Sequence, residues 1–226
     1  VKKNVARSIN FYNEQRQALY PLLNAKKNNL EDLLDFDSTK ISWNRELKNN
    51  LKRNKPIKFD ESRIYTSQYR PFFKQNLYFH RDFNDMIYQM SRIYPNVSSK
   101  NIAICVNGLG VQKSFSALIT NYIPDLQYIF NGQCFPLYWY EDTEESKGKT
   151  ADLFDEAPKK NSERYVRRDG ITDFALNTAC QQYKTSDISK EDIFYYVYGF
   201  LHSEDYRLAF DADLKKMLAR IPFVES

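Results

Sequence analysis

The spacing of apolar residues changes twice along the chain, and this change limits the fold more than any other feature. Over residues 4–53 apolar side chains recur every three or four positions, which is typical of amphipathic helices. Between residues 57 and 140 the spacing is that of strands: residues 73–80 alternate, and residues 101–106 form a nearly continuous apolar run. Helical spacing returns after Gly170. These changes predict an α+β fold with N-terminal helices, a central mixed or antiparallel β-sheet region and a C-terminal helical bundle.

Turn and cap residues divide these regions into predicted elements. The predicted helices cover 4–23, 30–34, 43–53 with Ser42 as N-cap, a helix opened by Phe174, a helix capped by Ser189 and Asp192, and 210–218 before Pro222. The predicted strands cover 73–80, 101–106, 114–119, 127–130 and 134–140, with a hairpin turn at Asn131-Gly132 joining the last two. Along 73–80 the odd-numbered side chains form a mostly apolar face, and the even-numbered ones form a face available for binding.

Charge is distributed unevenly along the chain. Residues 1–60 carry 13 Lys and Arg against 7 Asp and Glu (+6), residues 61–140 carry 7 against 4 (+3), and residues 141–226 carry 13 against 18 (−5). The first two thirds therefore suit a polyanionic partner better than the last third does. We predict four segments: an N-terminal helical segment (1–56), a β-rich core (57–140), a charged, flexible insertion (141–168) and a C-terminal helical subdomain (169–226).

Several classes of protein are disfavoured by what the sequence lacks. No apolar run approaches the roughly 20 residues that span a bilayer, and no signal-peptide pattern opens the chain, so we expect no membrane partner. Cys105, Cys134 and Cys180 lie far apart in the sequence and indicate neither a disulfide framework nor a CxxC metal site, which suits a reducing cytoplasm. Because the chain begins at Val1 without a methionine, we expect it to be part of a longer protein.

No catalytic constellation is complete. His80-Arg81-Asp82 resembles a kinase catalytic loop, but Ile87 stands where that loop needs Asn. Residues 107–114 resemble a phosphate-binding loop, yet Asn107 and Gln112 replace its glycines, so a plain turn is favoured over a phosphate cradle. With His80 and His202 as the only histidines, a zinc site or catalytic triad is not indicated. We therefore predict no catalytic residue, no metal site and no cofactor bound by this chain itself.

What remains is a binding surface centred on residues 61–95, where basic residues alternate with aromatic ones. Arg, Asn and Gln read base edges in DNA, whereas Lys and Arg also hold phosphates. Tyr69 and Phe72 are expected in the core, and Arg70 also suits a structural role beside Pro71. The predicted DNA-binding residues are Arg63, Arg70, Lys74, Asn76, Tyr78, His80, Arg81, Asn84, Arg92, Asn107, Lys113 and Ser114, with Gln68 and Gln89 offering the same chemistry.

Five blocks of the sequence resemble a known protein family. FDESRIYTSQYRPFFKQNLYFHRDFNDMIYQM (59–90) resembles the C-terminal specificity region of Type ISP restriction–modification enzymes. So do DSTKISWNRELKNNL (37–51), ICVNGLGVQKSFSALITNYIPDLQYIFNGQCFPLYWYE (104–141), ITDFALNTACQQY (171–183) and KEDIFYYVYGFLHSEDYRLAFDADLKKMLARIPFV (190–224). The blocks occur in the order of the family and cover nearly all of the chain except 141–168.

The resemblance implies a target recognition domain within a single long polypeptide. Such a polypeptide joins a nuclease, a helicase-like ATPase and an adenine-N6 methyltransferase to the specificity region. This chain would read double-stranded DNA, present an adenine for flipping into the methyltransferase and direct ATP-dependent cleavage. S-adenosylmethionine, ATP and magnesium would bind the other parts, and the methyltransferase and helicase-like domains would be partners.

Two other functions stay open from the residues alone. The chain could be a docking module that joins the methyltransferase and motor domains with little direct base reading, a role that the acidic C-terminal helices suit. It could also be a free-standing enzyme acting on a polymer such as a carbohydrate through its aromatic residues, although no acid/base pair supports this.

Overall fold

The computed structural model describes residues 1–26, 29–111, 113–143 and 164–224. In chain order its helices are α1 (Lys2–Lys26), α2 (Leu30–Leu33), α3 (Arg45–Lys52), α4 (Met90–Ile93), α5 (Asp173–Tyr183), α6 (Lys190–Phe200), α7 (Glu204–Ala209) and α8 (Asp211–Leu214). Its strands are β1 (Ile64–Arg70), β2 (Phe73–Tyr78), β3 (Ala103–Val106), β4 (Ala117–Thr120), β5 (Ile123–Pro124), β6 (Gln133–Pro136), β7 (Tyr138–Asp142) and β8 (Tyr165–Asp169). The predicted α+β class is confirmed.

The described strands form three small sheets. The first has the order β2-β1-β5, and its β1–β5 pair is parallel. The second, β4-β3-β6, and the third, β7-β8, are antiparallel. In the second sheet Cys105 lies opposite Cys134, and their Sγ atoms are 3.1 Å apart although both thiols are free. Two cysteines that are distant in sequence are therefore neighbours in the fold.

The chain divides into two compact units. One consists of Val1–Thr66 and Asn76–Tyr88, and the other of Ser67–Gln75 and Gln89–Ser226. The β-rich segment predicted at 57–140 is thus shared between the units. Strands β1 and β2 each begin in one unit and end in the other.

The core of the first unit is built by helices α1 to α3. Its fully buried side chains include Tyr12, Leu47 and Leu51. The segment after α3 is fixed to α1 by polar bonds: the Tyr12 hydroxyl donates to the Lys55 carbonyl at 2.8 Å, and the Asn13 amide both donates to and accepts from the backbone of Ile57. These bonds hold the chain that leads into β1.

The core of the second unit lies between the β4-β3-β6 sheet and the C-terminal helices. Ile104 and Leu137 pack with Phe194 and Leu201 of α6 and its C-cap. Helix α6 begins with the predicted capping box: the Asp192 amide donates to Ser189 Oγ at 3.1 Å, and the Ser189 amide donates to Asp192 Oδ2 at 2.8 Å. This part of the prediction is confirmed. None of the described helices is long and apolar enough to cross a membrane.

Three helix boundaries differ from the prediction. Asn44, not Ser42, caps α3 by accepting the Leu47 amide at 2.8 Å, while the Trp43 indole donates to the Asp35 carbonyl and stays outside the helix. Helix α1 continues through Pro21 to Lys26. The helix predicted at 210–218 is shorter, because α8 ends at Leu214, and the short helix α7 precedes it.

One strand prediction is wrong, and two others differ in their bounds. Residues 127–130 form a turn, since the Asp125 side chain accepts the Gln127 amide at 2.8 Å and its carbonyl accepts the Tyr128 amide at 2.9 Å. Asn131-Gly132 therefore joins no hairpin. The strand predicted at 134–140 is two strands, β6 and β7, interrupted at the buried Leu137. The strand predicted at 114–119 begins later, at Ala117.

The predicted apolar face of residues 73–80 is also wrong. Phe73 to Asn76 are all exposed, and burial begins only at Leu77 and Tyr78. Phe72, expected in the core, is fully exposed at 101%. The segment predicted as a flexible insertion, 141–168, contributes residues to β7 and β8 at its two ends, and its residues 144–163 lie outside the described residues.

Candidate functional site

The twelve predicted DNA-binding residues fall into both compact units. Arg63, Asn76, Tyr78, His80, Arg81 and Asn84 belong to the first unit, and Arg70, Lys74, Arg92, Asn107, Lys113 and Ser114 belong to the second. Within each unit some of these side chains are bonded inside the protein, whereas others point to solvent. This distinction separates residues that hold the surface from residues that are free to bind.

In the first unit, residues 78–84 form a compact corner after β2. The Asn84 amide donates to the carbonyls of Tyr78 at 2.7 Å and His80 at 2.9 Å. The Tyr78 ring is buried and stacks on the His80 ring, with 5.8 Å between centroids. The Tyr78 hydroxyl accepts the Asp60 amide at 3.2 Å. Three of the predicted residues therefore use their polar atoms to build this corner.

His80 is held as a neutral ring in the same corner. Its Nδ1 accepts the Asp82 amide at 3.2 Å. Burial lowers the pKa of His80 from its ordinary value, and nearby Arg63 and Lys55 lower it further, although Asp82 acts in the opposite direction. The ring consequently carries no positive charge near neutral pH, so it offers hydrogen bonds but no charge to a phosphate.

Three predicted residues of the first unit remain available to solvent. Arg63 forms an exposed ion pair with Asp60, at 3.4 Å. Asn76 and Arg81 are exposed, and neither side chain has a hydrogen-bond or ion-pair partner in the described part of the chain. Because exposed ion pairs are weak, the Arg63 guanidinium can exchange its carboxylate for another anion at little cost.

In the second unit, Arg70 and Lys74 flank the turn between β1 and β2. The Arg70 guanidinium donates to Asp125 Oδ1 at 2.9 Å and to the Tyr69 carbonyl at 2.6 Å, and it lies 3.9 Å from the centre of the Tyr69 ring. Lys74 is exposed, with its ammonium 4.2 Å from the centre of the Tyr122 ring. Arg70 therefore has the structural role that was considered for it, and Lys74 is free.

Asn107 joins the two ends of the loop that runs to Ser114. Asn107 is buried, with its amide donating to the Ser114 carbonyl at 3.0 Å and its Oδ1 accepting the Ser116 amide at 2.6 Å. The amides of Gly108 and Gly110 donate to other backbone carbonyls, which leaves them unavailable to a phosphate. Among the predicted residues of this loop, Lys113 and the Ser114 side chain are exposed and can meet a ligand.

The structure adds two arginines that the sequence reasoning missed. Arg167 and Arg168 lie on β8, opposite Tyr140 and Trp139 of β7. The Arg167 guanidinium is 4.2 Å from the centre of the Tyr138 ring and has no carboxylate partner among the described residues. Arg168 forms an ion pair with Glu141 at 2.9 Å. The aromatic run 138–140 was the available signal, because stacked arginines accompany such runs.

A second arginine, Arg92 of α4, stacks on an aromatic ring of β7. The guanidinium of Arg92, next to Ile93 in α4, lies 4.6 Å from the centre of the Trp139 ring. Arg92 is exposed, and within the described residues its guanidinium makes one hydrogen bond, a long one of 3.5 Å to Gln89 Oε1. Stacking on a ring fixes a guanidinium plane while leaving its N–H edges free, so Arg92 and Arg167 are pre-oriented donors.

In the described ranges, no cluster of three or more His, Cys, Asp and Glu side chains could hold a metal ion. The arrangement offers exposed cations, amides and aromatic rings. Each of the two units carries such groups, and groups of these kinds can contact phosphates and bases.

Comparisons with known proteins identify similar structures. No curated protein matches the chain. Three solved structures cover all of it: a Type ISP restriction–modification enzyme LlaBIII bound to DNA (28% identity, TM-score 0.74), a DrdV–DNA complex (28%, 0.76), and a nuclease-deletion mutant of the Type ISP restriction–modification enzyme LlaGI in complex with a DNA substrate mimic (30%, 0.77). The chain spans 13%, 20% and 18% of those proteins, respectively.

The family model agrees with the solved structures. The model that describes the Type ISP C-terminal specificity domain matches residues 1–226, which is the whole chain. The match is not confined to one motif, and it includes both compact units. The chain belongs to the family of Type ISP C-terminal specificity domains.

Proposed function

We propose that this chain recognises a specific sequence in double-stranded DNA, as the target recognition domain of a Type ISP-like restriction–modification polypeptide. The observation that carries the proposal is the match of the whole chain to the specificity-domain family. The three similar solved proteins, each in complex with DNA or a DNA mimic, support it.

The exposed cations provide the affinity in this proposal. Lys74, Arg81, Arg92 and Arg167 are exposed, and within the described residues none of them forms an ion pair with a carboxylate. Such cations bind phosphates and release condensed counterions, which makes DNA binding depend steeply on salt. Asn76 and the stacked arginines are the side chains best suited to base edges, because amides and guanidinium groups offer paired hydrogen bonds.

The domain would act together with other parts of a longer polypeptide. It would place a target adenine for N6 methylation by a methyltransferase domain and license a helicase-like motor to direct ATP-dependent cleavage. The adenine has to leave the base stack for its amino group to be reached. S-adenosylmethionine, ATP and magnesium would bind those other domains, which would also perform the catalytic steps.

The first experiment identifies the DNA sequence. We would map methylated adenines in the genome of cells that express the intact polypeptide. We expect a single asymmetric sequence to be methylated throughout the genome. Cells that express a nuclease-inactive form of the polypeptide allow the map to be made without DNA damage. The absence of any methylated sequence would contradict the proposal.

The second experiment measures recognition directly. Affinity of the intact polypeptide for a duplex with the mapped sequence is compared with affinity for a scrambled duplex, at several salt concentrations. We expect discrimination of about 10³-fold or more and a steep salt slope. In the double variant Lys74→Ala, Arg81→Ala the slope should fall by about 2, one for each lost phosphate contact.

A docking module without base reading is the outcome that would overturn the proposal. In that case the polypeptide would bind both duplexes equally, and the double variant would keep the wild-type slope. The net charge of −5 in residues 141–226 is the feature that favours docking for that part of the chain.

A further inference from the structure

The turn between β1 and β2 presents apolar side chains to solvent. Pro71, Phe72 and Phe73 are all exposed, and Phe72 and Phe73 have 101% and 59% of their surfaces accessible. The Phe72 ring gains no burial energy from the fold, whereas Phe73, the first residue of β2, packs its ring against that of Tyr69 with 6.2 Å between centroids. Such a patch is typical of a contact site.

The turn is nevertheless held in one shape. Gln68, only 6% exposed, directs its side-chain amide at the turn and donates to the carbonyls of Arg70 at 2.7 Å, Pro71 at 3.2 Å and Phe73 at 3.4 Å. The β1 strand is in turn anchored to β5, where Ser67 Oγ donates to the Ile123 carbonyl at 2.8 Å. A buried amide that bonds three turn carbonyls restrains the backbone that carries the exposed Phe72 side chain.

The residues around Phe72 are cationic. Residues 67–75 include Arg70 and Lys74 and no Asp or Glu. The charge of Arg70 is balanced by Asp125 at 2.9 Å, whereas Lys74 has no carboxylate partner in the described part of the protein. The hairpin tip therefore combines a protruding ring with one uncompensated positive charge beside it.

We propose that Phe72 is a wedge that enters one base step of the bound DNA duplex, while Lys74 contacts an adjacent phosphate. This inference rests on the proposed DNA-recognition function. A flat apolar ring fits between two separated base pairs, and phenylalanine wedges in other proteins unstack and kink DNA in this way. The restrained turn supplies a backbone that is already ordered, so little ordering cost falls on binding.

A protein pocket is the competing occupant, and the charge argues against it. A hydrophobic pocket on another domain would bury Phe72 but would gain nothing from the unpaired Lys74 ammonium. A DNA backbone places phosphates on both sides of every base step, so it accommodates the ring and the ammonium together. Opening a base step also lowers the cost of extruding a neighbouring base, which suits a domain that presents an adenine.

The test uses the intact polypeptide and duplexes that carry 2-aminopurine, whose fluorescence rises when it is unstacked. The probe is placed in turn at each position of the mapped sequence and its flanks, excluding the methylated adenine. With the wild-type protein we expect fluorescence to rise at one step, and we expect Phe72→Ala to abolish that rise. Affinity should fall by roughly tenfold to a hundredfold, the loss typical of a removed stacking contact.

Controls separate a wedge from a general effect. Phe174→Ala removes a side chain that is 80% exposed on α5 and should change neither fluorescence nor affinity. Phe72→Trp should restore the signal, since indole also stacks. A duplex with an abasic site at the responding step should bind Phe72→Ala almost as well as wild type, because that duplex no longer needs unstacking.

Three other outcomes would contradict either the wedge or the proposed DNA recognition. If Phe72→Ala retains the fluorescence change, the wedge is refuted while DNA recognition stands. If Phe72→Ala binds DNA normally but fails to methylate or cleave it, the tip contacts a neighbouring protein domain and the wedge is again refuted. If the wild-type protein does not discriminate its sequence from a scrambled duplex, the proposed function itself fails.

Discussion

The hairpin tip (residues 67–75) and the corner (residues 78–84) have similar compositions but use their polar side chains in opposite ways. Both contain aromatic rings, an arginine and side-chain amides or imidazole. In the corner, Asn84 and the Tyr78 hydroxyl bond the local backbone, and the Tyr78 ring is buried. In the tip, Gln68 bonds the backbone and the Phe72 ring is left outside.

This difference shows that residue type does not tell whether a polar side chain faces a ligand or the protein. What decides is whether nearby carbonyls and amides already occupy its hydrogen bonds. Gln68 and Asn84 are both good chemical candidates for reading adenine, yet both are committed to backbone carbonyls. The free residues, Lys74 and Arg81, lie beside them.

The largest expected effect comes from Gln68→Leu, which removes the amide that bonds the turn. Three carbonyls at the tip lose this donor, and since a hydrogen bond contributes about 0.5–1.5 kcal/mol, the summed loss should be about 1–3 kcal/mol. Urea denaturation should show a loss of stability of that size. Gln75→Leu makes the same change at an exposed position and should stay within about 0.5 kcal/mol of wild type. Equal losses in the two variants would show that the Gln68 bonds do not brace the tip.

Asn84→Ala tests whether the corner is structural. Losing two donated hydrogen bonds should destabilise the protein by about 1–2 kcal/mol in the same assay. Asn76→Ala, an exposed amide without a side-chain partner in the described residues, is the matched control for stability. DNA affinity per folded molecule should be unchanged in Asn84→Ala. A variant of normal stability and weakened binding would place Asn84 on the DNA instead.

Arg70 and Lys74 allow the comparison to be repeated within the tip. Lys74→Ala should reduce the slope of log affinity against log salt by about 1 while leaving stability within about 0.5 kcal/mol. Arg70→Ala should instead lower stability and leave the salt slope nearly unchanged, because the Arg70 guanidinium bonds Asp125 and the backbone. Salt titrations of DNA binding and denaturation curves on both variants check this. If both variants changed the salt slope and the stability to the same extent, Arg70 and Lys74 would not differ in role.

The smallest expected effect is the acid sensitivity caused by His80. Its folded-state pKa is lowered by burial below the ordinary value of 6.5, so the unfolded state binds a proton first as pH falls. Stability should therefore decline as pH falls through about 6.5. His80→Gln should show a smaller decline in melting temperature between pH about 7 and about 5.5. An unchanged decline would mean that the ring is not desolvated in the folded protein.

Sequence patterns predicted the elements correctly where contacts between nearby residues determine the structure. The α6 capping box follows from the three-residue spacing of Ser189 and Asp192, and β3 follows from its apolar run. Residues 127–130 carry the same kind of apolar pattern, but the Asp125 side chain caps them into a turn. That side chain also holds Arg70, 55 residues earlier, a contact that periodicity does not encode.

The DNA-binding role of the twelve residues stays a prediction, and the structure adds which of their side chains are accessible. Lys74, Arg81 and Arg92 are exposed, whereas Asn107 and Tyr78 are buried. Phe72 was assigned to the core because apolar residues usually lie there. Its exposure depends on the Gln68 side chain four positions earlier, which turns back onto the chain. Arg167 was missed because the pairing of β8 with β7 joins residues more than 20 positions apart.

The chain passes between the two compact units three times, after Thr66, after Gln75 and after Tyr88. No single cut therefore separates the units into two complete pieces, and exchanging one unit between relatives requires three junctions. The nine residues from Ser67 to Gln75 form a short excursion that begins and ends in strands. For protein engineering, an exchange of this excursion between specificity domains has to include its partners in the second unit, because Ser67 bonds the Ile123 carbonyl and Arg70 bonds Asp125.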